Sequence, residues 1–417
     1  MRKWLVASVS AAALVLPGAA LAQDSIKIGV LVALEGAFAA GGSDAVRNIE
    51  LAISEAGGMA GGKAIETVIA PTDTTPDTTI RQARKLVEQD GVDFVVGPLS
   101  GSEGIAIRDF AKTVPDKVFI NGISGALEMT WVDPAPNVYR FNLDGAQWGQ
   151  GLGSYVVNEK GWTKVASIAA DYSFGYTNFL GFAVDFCRAG GEIVERFWVP
   201  LGSSDFGGVI AQMPDDVDAI YLGMGGTDAI NFLNQYDQAG ADTNLIGGTI
   251  MADATVLTSR GRAKEALVGT PTSGAFAPDN PDPAWQEYLA KYRAFEGDEA
   301  KVPSLFGVGY HVAMLAAIQA LNEVEGDLSN GQEKFKAALA GLELASPLGT
   351  ITLNENRQAT GSVFVTEVVE GSDGNLEAVF KARQDGVTQT LGLTADEFRA
   401  MGLPSRDTPD CDALRGG

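Results

Sequence analysis

The sequence is poor in the residue types that most catalytic, redox and metal sites use. Its 417 residues include one histidine, His311, and two cysteines, Cys187 and Cys411. No GxSxG, HExxH, CxxC, Walker P-loop or EF-hand pattern occurs in it. His311 lies in a strongly apolar stretch, where a histidine more often has a structural role than a catalytic one. These absences argue against hydrolases, metalloenzymes and redox enzymes. We therefore expect a protein that is not an enzyme and that uses neither a metal nor a cofactor.

Positive charge is scarce as well. Thirty Lys and Arg residues stand against 53 Asp and Glu residues, which gives a formal net charge of −23. Nucleic acid phosphates and anionic membrane surfaces would repel such a protein. After the first 22 residues, no run approaches the roughly 18 consecutive apolar residues that a transmembrane helix needs. We expect a soluble chain that binds no nucleic acid and is not embedded in a membrane.

The N-terminus has the three parts of a secretory signal peptide over residues 1–22. Arg2 and Lys3 form a basic start, and the apolar run that follows is too short to span a bilayer. Ala20-Leu21-Ala22 then provides a small-x-small cleavage site. These features predict cleavage near Ala22 and a mature protein that works outside the cytoplasm.

The two cysteines have two interpretations. An even number of cysteines in an oxidising compartment allows one disulfide between Cys187 and Cys411. The alternative is one small buried thiol and one thiol in the C-terminal tail. The 223 residues between the two cysteines contain nothing that decides between these interpretations.

Apolar segments of strand length alternate with helical segments through most of the chain. Residues 26–33 are one such strand, and the alternation resumes after residue 142 with a predicted helix over 146–159 and a strand over 165–170. Buried strands that alternate with helices predict parallel sheets with helices on both faces. Two such series predict an α/β protein with two lobes. The helices and strands after residue 276 suggest that the chain returns to both lobes.

Small residues, serines and aromatic residues occupy the loops that follow the predicted strands. Residues 97–103 open a helix, so backbone N–H groups there lack intrahelical partners and, with Ser100 and Ser102, would suit a carboxylate. The alternative is that one of these serines only caps the helix. Similar loops occur at residues 121–126, 171–175, 224–227 and 248–251. Ligands of doubly wound sheets bind beyond the carboxyl ends of the strands, so these five loops would line one cleft between facing lobes.

Short segments with a recognisable order recur through nearly the whole mature chain. They include residues 26–30 (IKIGV), 56–61 (AGGMAG), 96–98 (VGP), 171–175 (DYSFG) and 346–349 (SPLG). In this order and spacing the chain resembles the periplasmic solute-binding proteins of ABC importers, type I fold, in the leucine/isoleucine/valine-binding group. The resemblance implies two Rossmann-like, doubly wound lobes joined by a three-strand hinge. We place the three crossovers near Leu143, Ala275 and Gly349.

The resemblance also implies domain boundaries and partners. Lobe 1 would comprise residues 23–143 and 276–348, and lobe 2 would comprise residues 144–275 and 349–417, including the C-terminal tail. A protein of this kind is a periplasmic monomer that binds a small carboxylate-bearing solute between its lobes. The lobes close about the hinge, and the closed form delivers the solute to a membrane permease and its ATPases. Neither catalysis nor a metal is implied.

The predicted ligand contacts come from both lobes. In lobe 1, the loops that match Ser100-Gly101-Ser102 and Ser124-Gly125 would hold the carboxylate, mainly through backbone N–H groups. In lobe 2, Phe174 stands at the usual tyrosine position, and Thr249 stands where leucine-type receptors place a glutamate for the ammonium group. The predicted contacts are Phe38, Ser100, Gly101, Ser102, Ser124, Gly125, Asp171, Tyr172, Phe174, Gly225 and Thr249.

The absence of a glutamate at position 249 leaves two classes of solute open. An α-ammonium group in a closed cleft needs an anionic partner or several carbonyl groups, and Asp171 is the available carboxylate. The first class is a branched-chain-type or other amino acid. The second is an aromatic or aliphatic organic acid, since receptors with the DYxFG pattern often look like receptors for such acids. A ligand-sensing domain that docks on a membrane sensor is a further alternative.

Overall fold

The computed structural model describes residues 25–258, 263–299, 301–372 and 374–415, and the predicted signal peptide lies outside these residues. The first part of the chain forms a six-stranded sheet. Its strands are β1 (Ser25–Ala33), β2 (Met59–Ala60), β3 (Lys63–Thr72), β4 (Phe94–Val96), β5 (Phe119–Ile120) and β6 (Val138–Tyr139). They lie in the order β2-β3-β1-β4-β5-β6, and every neighbouring pair except β2–β3 is parallel.

Helices follow these strands, as the alternating pattern predicts. They are α1 (Ala39–Glu55), α2 (Pro76–Glu88), α3 (Gly101–Ala111) and α4 (Glu128–Trp131). Local sequence explains where α2 begins, because the Thr75 side chain accepts a hydrogen bond from the Thr78 amide and Pro76 occupies the first turn. The N-termini of α1, α3 and α4 follow parallel strands, so they lie towards the carboxyl edge of the sheet.

The middle of the chain forms most of a second sheet. Its parallel strands are β7 (Lys164–Ala170), β8 (Glu192–Val199), β9 (Ala219–Gly223), β10 (Asn244–Gly247) and β11 (Pro271–Gly274). The helices are α5 (Gly145–Trp148), α6 (Leu152–Tyr155), α7 (Ser173–Arg188), α8 (Gly207–Ile210), α9 (Gly226–Gln238) and α10 (Ala254–Leu257). The prediction of one helix over residues 146–159 is wrong. Gly151 adopts a φ of 80°, which separates α5 from α6.

The chain then returns to the first sheet. Three helices, α11 (Pro283–Glu296), α12 (Leu305–Glu323) and α13 (Ser329–Gly341), follow β11. By length and composition α12 is apolar enough to cross a membrane, but 83% of its most apolar window is buried inside the protein, as in the core helix of a soluble protein. His311 is buried in α12, where its ring contacts the Asn48 carbonyl oxygen at 3.2 Å and Glu55 at 3.3 Å. These contacts give His311 a structural role.

The last part of the chain completes the second sheet. Strands β12 (Leu344–Ser346), β13 (Gly349–Leu353), β14 (Ala359–Glu370) and β15 (Leu376–Val387) are followed by the short helices α14 (Ala395–Ala400) and α15 (Cys411–Arg415). The sheet order is β12-β13-β14-β11-β10-β9-β7-β8, and β15 pairs with β14. The sulfur atoms of Cys187 in α7 and Cys411 in α15 are bonded, with 5.2 Å between their Cα atoms. The disulfide therefore fixes the end of the chain to the second lobe.

The chain passes between the two sheets three times. The first and third crossings lie side by side, because Arg140 pairs with Gln358 and the Ala359 amide donates to the Arg140 carbonyl oxygen at 2.9 Å. Leu143, Ala275 and Leu348, one from each crossing, line a common apolar cavity. The predicted α/β class with two doubly wound lobes is confirmed. The predicted lobe boundaries stay predictions, and we use them as the working division of the chain.

Candidate functional site

A closed cleft lies between the carboxyl ends of the two sheets. Its empty volume, which includes space open to solvent, is about 270 Å³. The first lobe contributes Phe38, Leu99, Ser100, Gly101, Ile123, Gly125, Leu305 and Phe306 to its lining, and the second lobe contributes Trp148, Tyr172, Phe174 and Ile250. The cleft is therefore the place where loops after β4 and β5 meet loops after β7 and β10.

The lobes touch each other across this cleft at two glycines. A Cβ atom on Gly101 of the first lobe would lie 2.6 Å from the Ser173 Oγ atom and 2.9 Å from the Phe174 nitrogen. Gly226 of the second lobe has a φ of 57°, and a Cβ atom there would lie 2.1 Å from the Ala37 carbonyl oxygen. Only glycine permits such close approach of two backbones. The structure therefore represents the closed arrangement of the lobes.

The N-terminus of α3 forms part of the first-lobe wall, and a capping box organises it. The Ser100 side chain accepts a hydrogen bond from the Glu103 amide, and the Glu103 carboxylate accepts one from the Ser100 amide at 2.7 Å. The Ser100 hydroxyl also donates to the Thr74 carbonyl oxygen at 3.2 Å. Two amides of the first turn, those of Gly101 and Ser102, have no acceptor within the helix. Ser100 therefore caps the helix, and the two free amides are what this wall offers a ligand.

Two helices of the second lobe begin without a side-chain cap, α7 in the cavity wall and α9 outside the cavity lining. Tyr172, which precedes α7, accepts no capping hydrogen bond through its side chain, and Gly225, which precedes α9, has no side chain. The first amides of each helix, including that of Phe174 in α7, point out of the helix without an intrahelical acceptor. Helix N-termini carry partial positive charge and favour anions. The cleft therefore attracts a carboxylate without any basic side chain in its lining.

Aromatic rings form much of the remaining wall. The Phe38 and Phe306 ring centroids lie 5.5 Å apart, and Phe174 lies 6.2 Å from Trp148 and 6.1 Å from Tyr172. Burial raises the pKa of Tyr172 above its usual range, so its hydroxyl is neutral in the cleft. These surfaces suit an apolar or aromatic part of a ligand.

Two buried polar atoms beside the cleft have no hydrogen-bond partner among the described residues. They are the Trp148 indole nitrogen and the Ser173 hydroxyl oxygen. A buried indole N–H normally has an acceptor, because leaving it unpaired costs free energy. Trp148 lines the cavity, and Ser173 is the first residue of α7. Of the two, Trp148 is the residue that brings an unpaired donor to the cavity wall.

Among the described residues, no charged side chain lines the cavity. The Asp171 carboxylate accepts a hydrogen bond from the Arg406 Nε atom at 2.9 Å and another from the Tyr176 hydroxyl, and both lower its pKa. The Thr249 hydroxyl accepts from the Asn178 side-chain amide at 2.9 Å. Neither residue lines the cavity, so neither is placed as a partner for an ammonium group. The described residues also contain no group of three His, Cys, Asp or Glu side chains that would hold a metal.

The structure brings together about half of the predicted contact residues. Phe38, Ser100, Gly101, Gly125, Tyr172 and Phe174 line the cavity, whereas Ser102, Ser124, Asp171, Gly225 and Thr249 do not. The carbonyl oxygen of Ser124 is used by Asn121 at 3.0 Å, and Gly225 packs against Ile250. Sequence reasoning did not name six of the lining residues as contacts: Leu99, Ile123, Trp148, Ile250, Leu305 and Phe306. The one signal for Leu99, Ile123 and Ile250 was their position in loops that were predicted to line the cleft.

Comparison with known proteins gives consistent matches over most of the chain. A family model described as "Periplasmic binding protein" matches residues 25–375. The "Leu/Ile/Val-binding protein homolog 6" of Brucella melitensis is 24% identical over 375 residues, which cover 88% of this chain and 94% of that protein.

Two solved structures illustrate the range of bound ligands. An ABC transporter solute-binding protein of Rhodopseudomonas palustris BisB5 in complex with 3,4-dihydroxybenzoic acid has a TM-score of 0.79 and 27% identity, covering 88% of this chain and 98% of that chain. The branched-chain amino acid substrate-binding protein LivJ of Streptococcus pneumoniae in complex with isoleucine has a TM-score of 0.72 and 20% identity, covering 86% and 100%. The second likeness concerns the fold alone.

Proposed function

The chain belongs to the periplasmic binding protein family, and on this premise we propose that it is the substrate-binding component of an ABC importer. It captures a small carboxylate-bearing solute between its lobes in the periplasm. It then delivers the solute to a membrane permease and the ATPases attached to it, acting as a monomer after removal of its signal peptide. The proteins it resembles are binding proteins of transporters rather than enzymes.

The solute is an aromatic or other organic acid rather than an amino acid. The observation that carries this preference is the lining of the cavity, which contains no Asp or Glu side chain. An α-ammonium group in this closed cleft would lose its water without gaining a carboxylate, which is costly. Asp171, the carboxylate that was available to pair with an ammonium group, is paired with Arg406 instead. A 27% identical protein of Rhodopseudomonas palustris that binds 3,4-dihydroxybenzoic acid supports the same class of solute.

The arrangement suggests how capture works. The carboxylate approaches the free first-turn amides of α3 and α7, and the Trp148 indole N–H donates to an oxygen atom of the solute. The ring or chain of the solute packs between Phe38 and Phe174. Because these groups come from both lobes, the solute stabilises the closed arrangement, which is the form offered to the permease.

A thermal-shift screen tests the class of solute. Benzoate, 4-hydroxybenzoate and 3,4-dihydroxybenzoate are compared with leucine and isoleucine. A solute at about 100 times its dissociation constant stabilises the folded protein by roughly 2.7 kcal/mol, so we expect at least one benzoate to raise the melting temperature and neither amino acid to do so. A shift with leucine or isoleucine and none with the acids would reverse the preference.

Tryptophan fluorescence locates the binding event. Trp148 lines the cavity, whereas Trp162 lies outside it. We expect Trp148→Phe to remove the fluorescence change that the bound acid causes, and Trp162→Phe to retain it. A response that depends on Trp162 instead would place the solute elsewhere.

A further inference from the structure

The C-terminal residues 388–415, here called the strap, follow β15 and lie beyond the last residue that the family model matches. They contain the short helices α14 and α15. The strap begins and ends on the second lobe. It runs over the junction of the two lobes and contacts both of them.

Several contacts hold the strap on the second lobe. The disulfide joins Cys411 of the strap to Cys187 in α7. Arg406 of the strap forms an ion pair with Asp171, just before the N-terminus of α7. The Trp198 indole nitrogen donates to the Arg406 carbonyl oxygen at 3.2 Å. Because one of these contacts is covalent, the end of the strap moves with the second lobe.

A different set of contacts ties the strap to the first lobe. The ring of Phe398 in α14 meets the ring of Trp131 edge-on, with 5.0 Å between centroids and an interplanar angle of 90°. The Arg399 guanidinium lies 5.4 Å from the centre of the same Trp131 ring. The Gln389 side-chain amide donates to the Thr130 hydroxyl at 2.9 Å. Thr130 and Trp131 both belong to α4 of the first lobe.

A buried apolar cluster shows that these contacts form one interface. It contains Leu127 of the first lobe, Leu180 and Val184 of α7 in the second lobe, and Leu391 and Phe398 of the strap. Phe398 is only 2% exposed. An apolar ring this deeply buried between two lobes favours the arrangement in which the lobes stay together.

We propose that the strap stabilises the closed form of the protein, with Phe398 as the positioning residue that opening must pull away from Trp131. The disulfide is the fixed anchor that keeps the strap in place on the second lobe. The proposal rests on the proposed function, because only a protein that traps its solute by closure gains affinity from a closed-state contact. Loss of the Phe398 contact, or of the disulfide anchor, lowers the closed population and with it the affinity for solute.

The first test measures the shape of the protein without any solute. Small-angle X-ray scattering compares the wild type with Phe398→Ala and with Phe380→Ala, whose ring pairs with Phe364 inside the second lobe. We expect a larger radius of gyration for Phe398→Ala and no change for Phe380→Ala. Equal radii for all three proteins would overturn the proposal. If Phe398→Ala does not fold, Phe398→Leu and the pair Cys187→Ala with Cys411→Ala take its place.

The second test measures affinity for 3,4-dihydroxybenzoate by calorimetry. We expect Phe398→Ala to weaken binding by about two- to tenfold, the range for loss of one aromatic pair, and to act mainly on the dissociation rate. Adding Cys187→Ala and Cys411→Ala to Phe398→Ala should weaken binding no further, because the disulfide acts only by holding Phe398 against Trp131 and that contact is already lost. Unchanged affinity in Phe398→Ala would overturn the proposal. If Phe398→Ala has a larger radius of gyration but the wild type binds none of the tested acids, the proposal for the strap stands and the proposed class of solute is wrong.

Discussion

The two walls of the cleft use helix N-termini in different ways. In the first lobe the start of α3 is closed by the Ser100 and Glu103 capping box, so part of its hydrogen-bonding capacity is spent within the helix. In the second lobe α7, whose first turn lines the cleft, begins without a side-chain cap. A capped terminus is a fixed surface, whereas an uncapped terminus has donors that a ligand can satisfy. The comparison suggests that the first wall sets the shape of the cleft and the second wall supplies much of its attraction for an anion.

The largest expected effect comes from pushing the two walls apart. In Gly101→Val the new Cβ atom would lie 2.6 Å from the Ser173 Oγ atom and 2.9 Å from the Phe174 nitrogen, so the backbone of one lobe would have to shift for the lobes to close. Overpacking of this kind costs about 1–3 kcal/mol, so we expect solute affinity to fall by about 5- to 140-fold. Calorimetry with 3,4-dihydroxybenzoate measures this affinity.

A glycine outside the cleft provides the control for this substitution. A Cβ atom on Gly341, at the end of α13, would meet nothing within 4 Å. Gly341→Val should bind the acid as the wild type does, and both variants should keep the secondary structure seen by circular dichroism. Wild-type affinity in Gly101→Val would mean that the two walls do not meet at this glycine when solute is bound.

The position of the cleft followed from the order of strands and loops, because in doubly wound sheets loops after the strands meet at one edge. That reasoning found the loops around Ser100, Gly125 and Phe174. It did not find Trp148, since residues 146–159 have the pattern of one helix and the break at Gly151 depends on its left-handed backbone conformation.

Long-range contacts explain the other differences. Leu305 and Phe306 reach the cleft because α12 returns to the first lobe after the chain has built most of the second sheet. The pattern after residue 276 predicts a return of the chain, but it does not predict which residues of the returning helix face the cleft. Asp171 stands in a segment typical of a ligand site, but its carboxylate is taken by Arg406, 235 residues further along the chain. Local sequence predicts which loops border a cleft. It does not predict which of their side chains another part of the protein has already engaged.

A smaller effect is expected from the hydrogen bond that joins the walls. Asp253 of the second lobe accepts a hydrogen bond from the Leu305 amide, at the start of α12 in the first lobe, at 2.7 Å. Hydrogen bonds to charged groups contribute about 1.5–3 kcal/mol, part of which is recovered by water in the open form. We therefore expect Asp253→Asn to weaken binding of 3,4-dihydroxybenzoate by about tenfold, measured by calorimetry.

An aspartate that holds a helix N-terminus within one lobe separates capping from closure. Asp253 also caps α10 by accepting from the Thr255 amide at 2.9 Å. Asp327 accepts from the Ser329 amide at 3.0 Å at the start of α13 and pairs with Lys334, all within the first lobe. Asp327→Asn should lower stability but leave solute affinity unchanged. Equal losses of affinity in Asp253→Asn and Asp327→Asn would show that the bond to Leu305 has no special part in closure.

The smallest effect concerns the capped wall itself and appears as a dependence of stability on pH. Burial raises the pKa of Glu103 above its ordinary value of 4.5, although hydrogen bonds from Ser100 and Thr79 oppose the change. The folded protein therefore holds this proton more tightly than the unfolded chain. The resulting stabilisation is fully present below pH 4.5 and is lost as the pH rises through the raised pKa. Glu103→Gln has no proton to lose at this position. The wild type should therefore lose stability relative to the variant as the pH rises through the pKa of Glu103.

The capping box of α14 also pairs a hydroxyl residue with a glutamate, Thr394 with Glu397, but here we expect stability to depend on pH in the opposite direction. Hydrogen bonds from Thr394 lower the pKa of Glu397, which is exposed, so its contribution is present above its ordinary value of 4.5 and is lost as the pH falls. Urea unfolding of the wild type, Glu103→Gln and Glu397→Gln at a series of pH values compares the two boxes. The stability of the wild type relative to Glu103→Gln should fall with rising pH, and its stability relative to Glu397→Gln should rise. Slopes of the same sign would mean that Glu103 is as well hydrated as Glu397, and the first wall would then lack the dry, fixed character that its capping box suggests.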